Sequence, residues 1–386
     1  MTDAPRTAGP LAGVRVLELG GIGPGPFCGM LLGDLGAEVI RVDRPAEAGR
    51  GSAHPVLHRN RRTITVDLKH PDGAAALLRL AESCDIVVEG FRPGVVERLG
   101  LGPEEFLARN PALVYGRMTG WGQDGPFAQE PGHDINYIGL TGALHAIAPY
   151  GGGDPVPPVN LVGDFGGGGM LLALGLVSAV LHARATGRGQ VVDAAMTDGT
   201  ALLLAMTYGF LATGRWQDRP ASNMLDGGAP FYTVYRCADD RHMAVGSIEP
   251  QFYAALLRVL GLTDDPDFAA QHDQGKWPAM RERLAAVFAG RGRDAWAEAF
   301  DGQGACVSPV LSLTEAPDHP HNAARDTYRR TPQGAVEPAP APRFSATPTA
   351  EPAPAARTGA DTRRILAGAG LTDEELDTLT DKGVVA

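Results

Sequence analysis

Two places in the chain combine residue types that can move protons. The first is Gly132-His133-Asp134-Ile135-Asn136-Tyr137, which follows a glycine-rich stretch (Gly120, Gly122, Gly125) and opens a helical pattern. An imidazole at a helix start lies near free backbone N–H groups. These disfavour its cation and keep the neutral ring available as a base. The second is Gly163-Asp164-Phe165 followed by Gly166 to Gly169, at the head of a long apolar helical run. Glycine in a helix costs about 1 kcal/mol relative to alanine, a penalty tolerated where backbone must come close to a ligand or another chain. Each site also has a plain structural reading. Asp164 fits an N-cap, and His133 fits an ordinary hydrogen-bonded histidine, as most such residues are. His145, His182 and His242 have no comparable context. Residue types name candidates for acid/base work here and, by themselves, no reaction.

The elements around these positions alternate between strand and helix. Val14–Leu19, Glu38–Val42, Thr63–Asp67, Asp85–Glu89, Leu113–Arg117 and Gln190–Ala194 read as strands, with helical stretches such as Gly73–Ser83 between them. That order implies βαβ units and a parallel sheet covered on both faces. A long apolar helix is expected over Asp164–Ala185, and another after the last strand to about Thr213. Near Pro230 the character changes. Phe231–Cys237 and His242–Ile248 flank Ala-Asp-Asp-Arg as a hairpin, followed by amphipathic helices at Gln251–Leu260, Trp277–Ala289 and Asp294–Phe300. This is a smaller α+β domain. Residues 335–356 are rich in Pro and Ala and read as an extended surface segment. A short helical pattern from Thr362 to Gly383 closes the chain.

The turn after the first strand, Gly20-Gly-Ile-Gly-Pro-Gly-Pro26, imitates a dinucleotide-binding loop. Gly21, Gly23 and Gly25 give GxGxG where phosphate cradles need GxGxxG, and Cys28 stands where the third glycine belongs. Pro24 and Pro26 also remove N–H donors that a pyrophosphate would need. A nicotinamide or flavin cofactor is therefore not expected.

Bulk properties are those of a globular chain: 386 residues, 44 % hydrophobic and 20 % charged. The net charge of −11 argues against nucleic-acid binding. Cations are nonetheless gathered early, at Arg41, Arg44, Arg50, Arg59, Arg61, Arg62, Lys69, Arg92 and Arg98, and charge counting alone leaves a solvated basic face as one reading. The apolar run Met170–Leu181 is too short to span a bilayer and reads as a buried helix, so no membrane partner is expected. The N-terminus lacks a secretory pattern. Four scattered cysteines without CxxC suit a reducing cytoplasm and give no metal site.

Several motifs in one order carry a family resemblance. Leu11-Ala-Gly-Val-Arg-Val-Leu-Glu-Leu19, Gly33-Asp-Leu-Gly-Ala-Glu-Val-Ile-Arg-Val-Asp-Arg-Pro45, Arg59-Asn-Arg-Arg-Thr-Ile-Thr-Val-Asp-Leu-Lys69, Glu89-Gly-Phe-Arg-Pro-Gly94 and Thr119-Gly-Trp-Gly-Gln-Asp-Gly-Pro126 resemble the family III CoA-transferases (CaiB/BaiF). Within that family, Gly132–Tyr137, Asn160–Gly167, Asn223–Tyr232 and Ile248–Tyr253 are similar to the α-methylacyl-CoA racemases. The likeness runs from Leu11 to the Ala341–Ser345 segment.

The resemblance implies an α/β fold with a Rossmann-like large domain over residues 1–194, completed by residues 337–386. It also implies a linker at 195–232, a small α+β domain at 233–317 and a return linker at 318–336. It implies an interlocked homodimer with active sites shared between subunits. The substrate it implies is a 2-methylacyl-CoA thioester whose (2R) and (2S) forms would be interconverted by α-proton abstraction and reprotonation through an enolate. By position, His133 and Asp164 match the acid/base pair, with Asp134 supporting the aspartate and Glu249 the histidine. Arg44, Val66, Asp67, Leu68, Lys69, Gly90, Phe91, Arg92, Arg98, Gly132, Asn136 and Tyr137 match CoA-contacting positions. No metal or redox cofactor is implied. The alternative on the same fold is a CoA-transferase in which Asp164 attacks the thioester as a nucleophile. His133 discriminates, since the transferases generally lack a histidine there. Which acyl chain is preferred, a branched fatty acid, a sterol side chain or an arylpropionate, stays open.

Overall fold

The computed structural model describes residues 8–386, and the first seven residues of the expected 1–194 domain lie outside it. In chain order the elements are β1 (Arg15–Leu19), α1 (Pro24–Asp34), β2 (Glu38–Asp43), β3 (Arg61–Thr65), α2 (Pro71–Ala81), β4 (Ile86–Glu89), α3 (Val95–Arg98), α4 (Pro103–Arg109), β5 (Val114–Thr119), α5 (Asp134–Leu140), α6 (Ala143–Ala146), a π-helical segment (Leu161–Met170), α7 (Leu171–Thr186), β6 (Gln190–Ala195), α8 (Met196–Leu203) and α9 (Ala205–Ala212). Then come β7 (Tyr232–Arg236), β8 (His242–Gly246), α10 (Pro250–Leu260), α11 (Trp277–Phe288), α12 (Arg293–Phe300), β9 (Val307–Val310), α13 (Pro320–Ala324), β10 (Tyr328–Arg330), β11 (Val336–Pro338), α14 (Thr362–Gly368) and α15 (Asp373–Asp381).

The first unit comprises the chain through Thr141, residues 159–203 and residues 339–386. Its six strands form one parallel sheet in the order β3-β2-β1-β4-β5-β6. Alternation along the strands fills both faces. Leu17, Leu19, Ile40, Val42 and Ile64 pack with residues of α2, α14 and α15. Val16, Val39, Ile86, Val88 and Val114 pack with residues of α1 and α7. Because the strands are parallel, the segments after β1, β2, β3, β4 and β5 all emerge at one edge, where open α/β sheets bind ligands. The C-terminal tail secures one of them: Asp67 N–H donates to the Val384 carbonyl, and Val66 bridges Val385.

The second unit, residues 142–158 and 204–338, holds the antiparallel sheet β7-β8-β9 with helices on it. Its core is built on Phe231, Tyr235, Met243, Leu256, Trp277, Phe288, Trp296 and Phe300. Residues 142–158 cluster here although the sequence places them within the large domain. The Arg281 guanidinium lies 3.9 Å from the centre of the Tyr150 ring and accounts for part of that docking.

Three expectations change. The Asp164–Ala185 helix divides into the π-helical segment and α7. The helix to Thr213 breaks between α8 and α9. Together Leu161–Thr186 is long and apolar enough to cross a membrane by length and composition, and it is not simply a buried helix. Leu172, Leu176, Ala179 and Val180 are buried in the unit's core, while Leu161, Met170, Leu174 and Leu181 are exposed.

Candidate active site

His133 is the N-cap of α5, and its backbone N–H donates to Asn136 Oδ1 at 3.0 Å. The next residue, Asp134, is buried in the first turn, and its Oδ1 accepts the backbone N–H of Asp164 at 2.7 Å. Its other oxygen, Oδ2, is buried with no partner among the described residues. Consecutive residues thus expose an imidazole and tie down the segment that carries Asp164.

Asp164 lies inside the π-helical segment, a geometry often found at functional sites, and its side chain caps no helix. The N-cap reading is therefore excluded. Its Oδ2 accepts from Asn160 Nδ2 at 3.1 Å. Burial raises the carboxyl above the ordinary aspartate range and the Asp134 charge adds to that, while the Asn160 hydrogen bond and His133 oppose the rise. An aspartate lifted this way exchanges protons more readily near neutral pH. Asn160 was quoted in the sequence motif without a role. Its position four residues before Asp164, one turn away on a helix, is the signal that points to it. Gly163, which the sequence names only as part of the motif, gives Asp134 its room: a Cβ there would fall 2.6 Å from Asp134 Oδ1.

Tyr137 is buried, and its ring lies in a slot made by two glycines. A Cβ at Gly120 or Gly132 would come within 2.1 Å or 2.7 Å of ring carbon Cε1, and Trp121 meets the ring edge-on at 4.7 Å. Burial and the nearby Asp164 charge raise the phenol, and Arg92 lowers it. The structure therefore brings Arg92 and Tyr137 to the same neighbourhood as Asp164.

The expected CoA-contacting residues Arg44, Val66 to Lys69, and Gly90 to Arg92 follow β2, β3 and β4 at the same sheet edge, and Arg98 ends α3. Arg44, Lys69, Arg92 and Arg98 are exposed. Glu89, buried at the end of β4, takes the Phe91 N–H at 2.7 Å, and burial pushes its carboxyl up to about 7. Glu249 is exposed at the N-cap of α10 in the second unit.

Two readings of the sequence need correction. The early cations are not one basic face. Arg59 is buried on Asp34, Arg61 and Arg41 share Glu18, and Arg62 pairs with Glu38. Folding brings these side chains to carboxylates distant in sequence, partners that charge counting cannot see. The glycines at 166–169 also do not leave backbone open. A Cβ at Gly167 would lie 2.7 Å from Thr200 N, at Gly168 2.9 Å from Met196 Cγ, and at Gly169 2.7 Å from the Pro24 carbonyl oxygen. They let α1 and α8 approach the π-helical segment.

Comparison with known proteins matches residues 11–362 to the family described as CoA-transferase family III. The α-methylacyl-CoA racemase of Mus musculus is 44 % identical over 370 residues, covering 95 % of this chain and 95 % of the relative. The human α-methylacyl-CoA racemase is 46 % identical over 340 residues, covering 88 % and 87 %. Among solved structures, Rv3272 from M. tuberculosis superposes with a TM-score of 0.77 at 26 % identity, covering 93 % of this chain and 99 % of the other.

Proposed function

This chain belongs to CoA-transferase family III, and we propose that within the family it is a racemase interconverting (2R)- and (2S)-2-methylacyl-CoA thioesters. The carrying observation is the Asp134 bridge: the residue after His133 holds the Asp164 backbone at 2.7 Å. Two proton-transfer groups of different chemistry are thereby fixed relative to each other. The thioester α-proton is weakly acidic. One group removes it while the other delivers a proton to the opposite face of the planar enolate. First-turn N–H groups of α5 supply donors for the enolate oxygen. With both transfers made by side chains, the reaction needs neither metal nor redox cofactor.

The CoA portion lies along the sheet edge, with Arg44, Lys69, Arg92 and Arg98 facing its phosphates, Val66 to Leu68, Gly90 and Phe91 lining its path, and Gly132, Asn136 and Tyr137 near the thioester. Glu249 supports His133 across a pair of chains. Assembly of two copies is supported by Leu161, Met170, Leu174, Leu181, Leu202 and Leu203, which are large apolar residues exposed on the first unit, the kind of surface that marks contact with another chain. A cytoplasmic setting suits the four unpaired cysteines.

The transferase alternative uses Asp164 as a nucleophile and gives His133 no part. Chiral chromatography of a single-epimer substrate after incubation separates the two. Inversion by the wild type, falling at least about 100-fold in both His133→Ala and Asp164→Ala with the substrate still bound, is the expected result. Full inversion in His133→Ala overturns the two-base reading.

A further inference from the structure

The Gly20–Pro26 loop fails as a phosphate cradle, and proton transfer by itself assigns it nothing. Beneath it lies a buried ion cluster. Arg41 Nη1 donates to Glu18 Oε1 at 3.1 Å, and Arg61 donates to Glu18 Oε2 from Nε at 3.1 Å and Nη2 at 3.0 Å. The Glu18 and Arg61 side chains are 1 % and 0 % exposed. Arg41 also pairs with Asp43 at 2.9 Å, so two guanidinium groups meet two carboxylates. His58 completes the setting. Arg41 only donates, so the ring accepts at Nε2 (3.1 Å) and donates from Nδ1 to Ser52 Oγ (2.7 Å). Gly29 makes room for the cluster, since a Cβ there would fall 2.3 Å from Glu18 Oε2 and 2.6 Å from Arg61 Nη2.

The same two arginines hold the loop at two points. Arg41 Nη2 reaches the Gly21 carbonyl at 3.5 Å, and Arg61 Nη2 donates to the Pro26 carbonyl. The opposite side of the loop abuts the π-helical segment. Gly23, at φ +65°, would place a Cβ 3.1 Å from Asp164 Oδ2. Pro24 lies against Gly168 and Gly169, and the Phe27 ring stacks on Phe165 with centroids 4.4 Å apart. A loop clamped from below and seated on a carboxylate above transmits the position of one to the other.

We propose that the Glu18–Arg41–Arg61 cluster is a positioning device that sets the Gly20–Pro26 loop against Asp164 and so fixes the direction of that carboxylate for proton transfer. The inference rests on the reading of Asp164 as one of the two proton-transfer groups. Arg41 and Arg61 are positioning residues and touch no reacting atom.

A one-sided device has a one-sided signature. Each epimer presents its α-proton to one base only, so disturbing Asp164 alone leaves His133 able to remove and return a proton. In Arg41→Lys a cation remains beside Glu18 while the fork that spans Glu18, His58 and Gly21 is lost. In D2O, this variant is expected to exchange the α-proton of one epimer within about threefold of the wild-type rate. Inversion, and exchange of the other epimer, should fall at least about tenfold, with KM within about twofold. Equal loss on both epimers, or no loss on either, overturns the positioning role. His58→Ala keeps the ion cluster whole while removing the acceptor that orients Arg41. Should Arg41→Lys not fold, it is expected to show the same asymmetry at about threefold, and a symmetric response overturns the role equally. A wild-type enzyme that exchanges neither epimer removes the racemase reading itself, whereas symmetric loss in an active background removes only this inference.

Discussion

Asp164 is held by two neighbours whose effects on its proton differ in sign, so its chemistry can be moved in both directions. Asn160 donates to the carboxylate and keeps its affinity for protons down, and the Asp134 charge pushes that affinity up. For the direction of reaction in which Asp164 is the base, the acidic limb of kcat/KM reports its deprotonation. Asn160→Ala is expected to move that limb to higher pH and so to lower the rate about tenfold at pH values on the acidic side of the limb, the scale of one hydrogen bond to a charged group. Asp134→Asn keeps an acceptor for the Asp164 N–H but removes a negative charge, and is expected to move the limb to lower pH. Limbs that shift together or not at all contradict the electrostatic account. At this scale the sequence offered His133 and Asp164 as candidates, each with a plain structural reading beside it, and only the family resemblance paired them. It could not show the bridge, because Asp134 and Gly163 meet only after α5 and the π-helical segment are packed.

The element that carries Asp164 is set by close packing. Gly199 on α8 would place a Cβ 1.8 Å from the Gly167 carbonyl oxygen, a backbone atom that cannot turn aside. Gly199→Ala is expected to lose about 2 kcal/mol of stability or more in denaturant titration. It should also lower kcat, because the displaced segment bears Asp164. Gly368→Ala, at an exposed position of α14 with nothing near its Cβ, serves as the control and is expected to gain about 0.5 kcal/mol. The strands were readable because buried parallel strands leave apolar runs bounded by turns. The glycine run was readable as an anomaly, but its partners are elements distant in sequence, and composition does not distinguish π from α hydrogen bonding. The arginines misled for the same reason. Glu18 and Asp34 pair with them across strands and helices that only the folded sheet brings together.

At the scale of the molecule, one parallel sheet gathers at its edge the segments that follow β2, β3, β4 and β5, and α7 leaves an apolar face exposed, which supports the proposed second chain. Leu174 and Leu181 are seven residues apart, two turns along one face, and both are 66 % exposed. Light scattering is expected to give a mass of two chains for the wild type and of one for Leu174→Asp/Leu181→Asp; a wild-type monomer contradicts the assembly. The large and small domain types were legible from the order of strands and helices. The grouping of residues 142–158 with the second unit was not, since it depends on contacts such as Tyr150 with Arg281 that no local pattern announces. The central claim, that this fold holds two bases for α-proton transfer on an acyl-CoA thioester, is tested most directly by proton NMR of a single-epimer 2-methylacyl-CoA with the intact protein in D2O. The account predicts loss of the α-proton signal together with the appearance of both epimers. A persistent α-proton, with CoA passing instead to an added free carboxylic acid, would contradict it and make Asp164 a nucleophile.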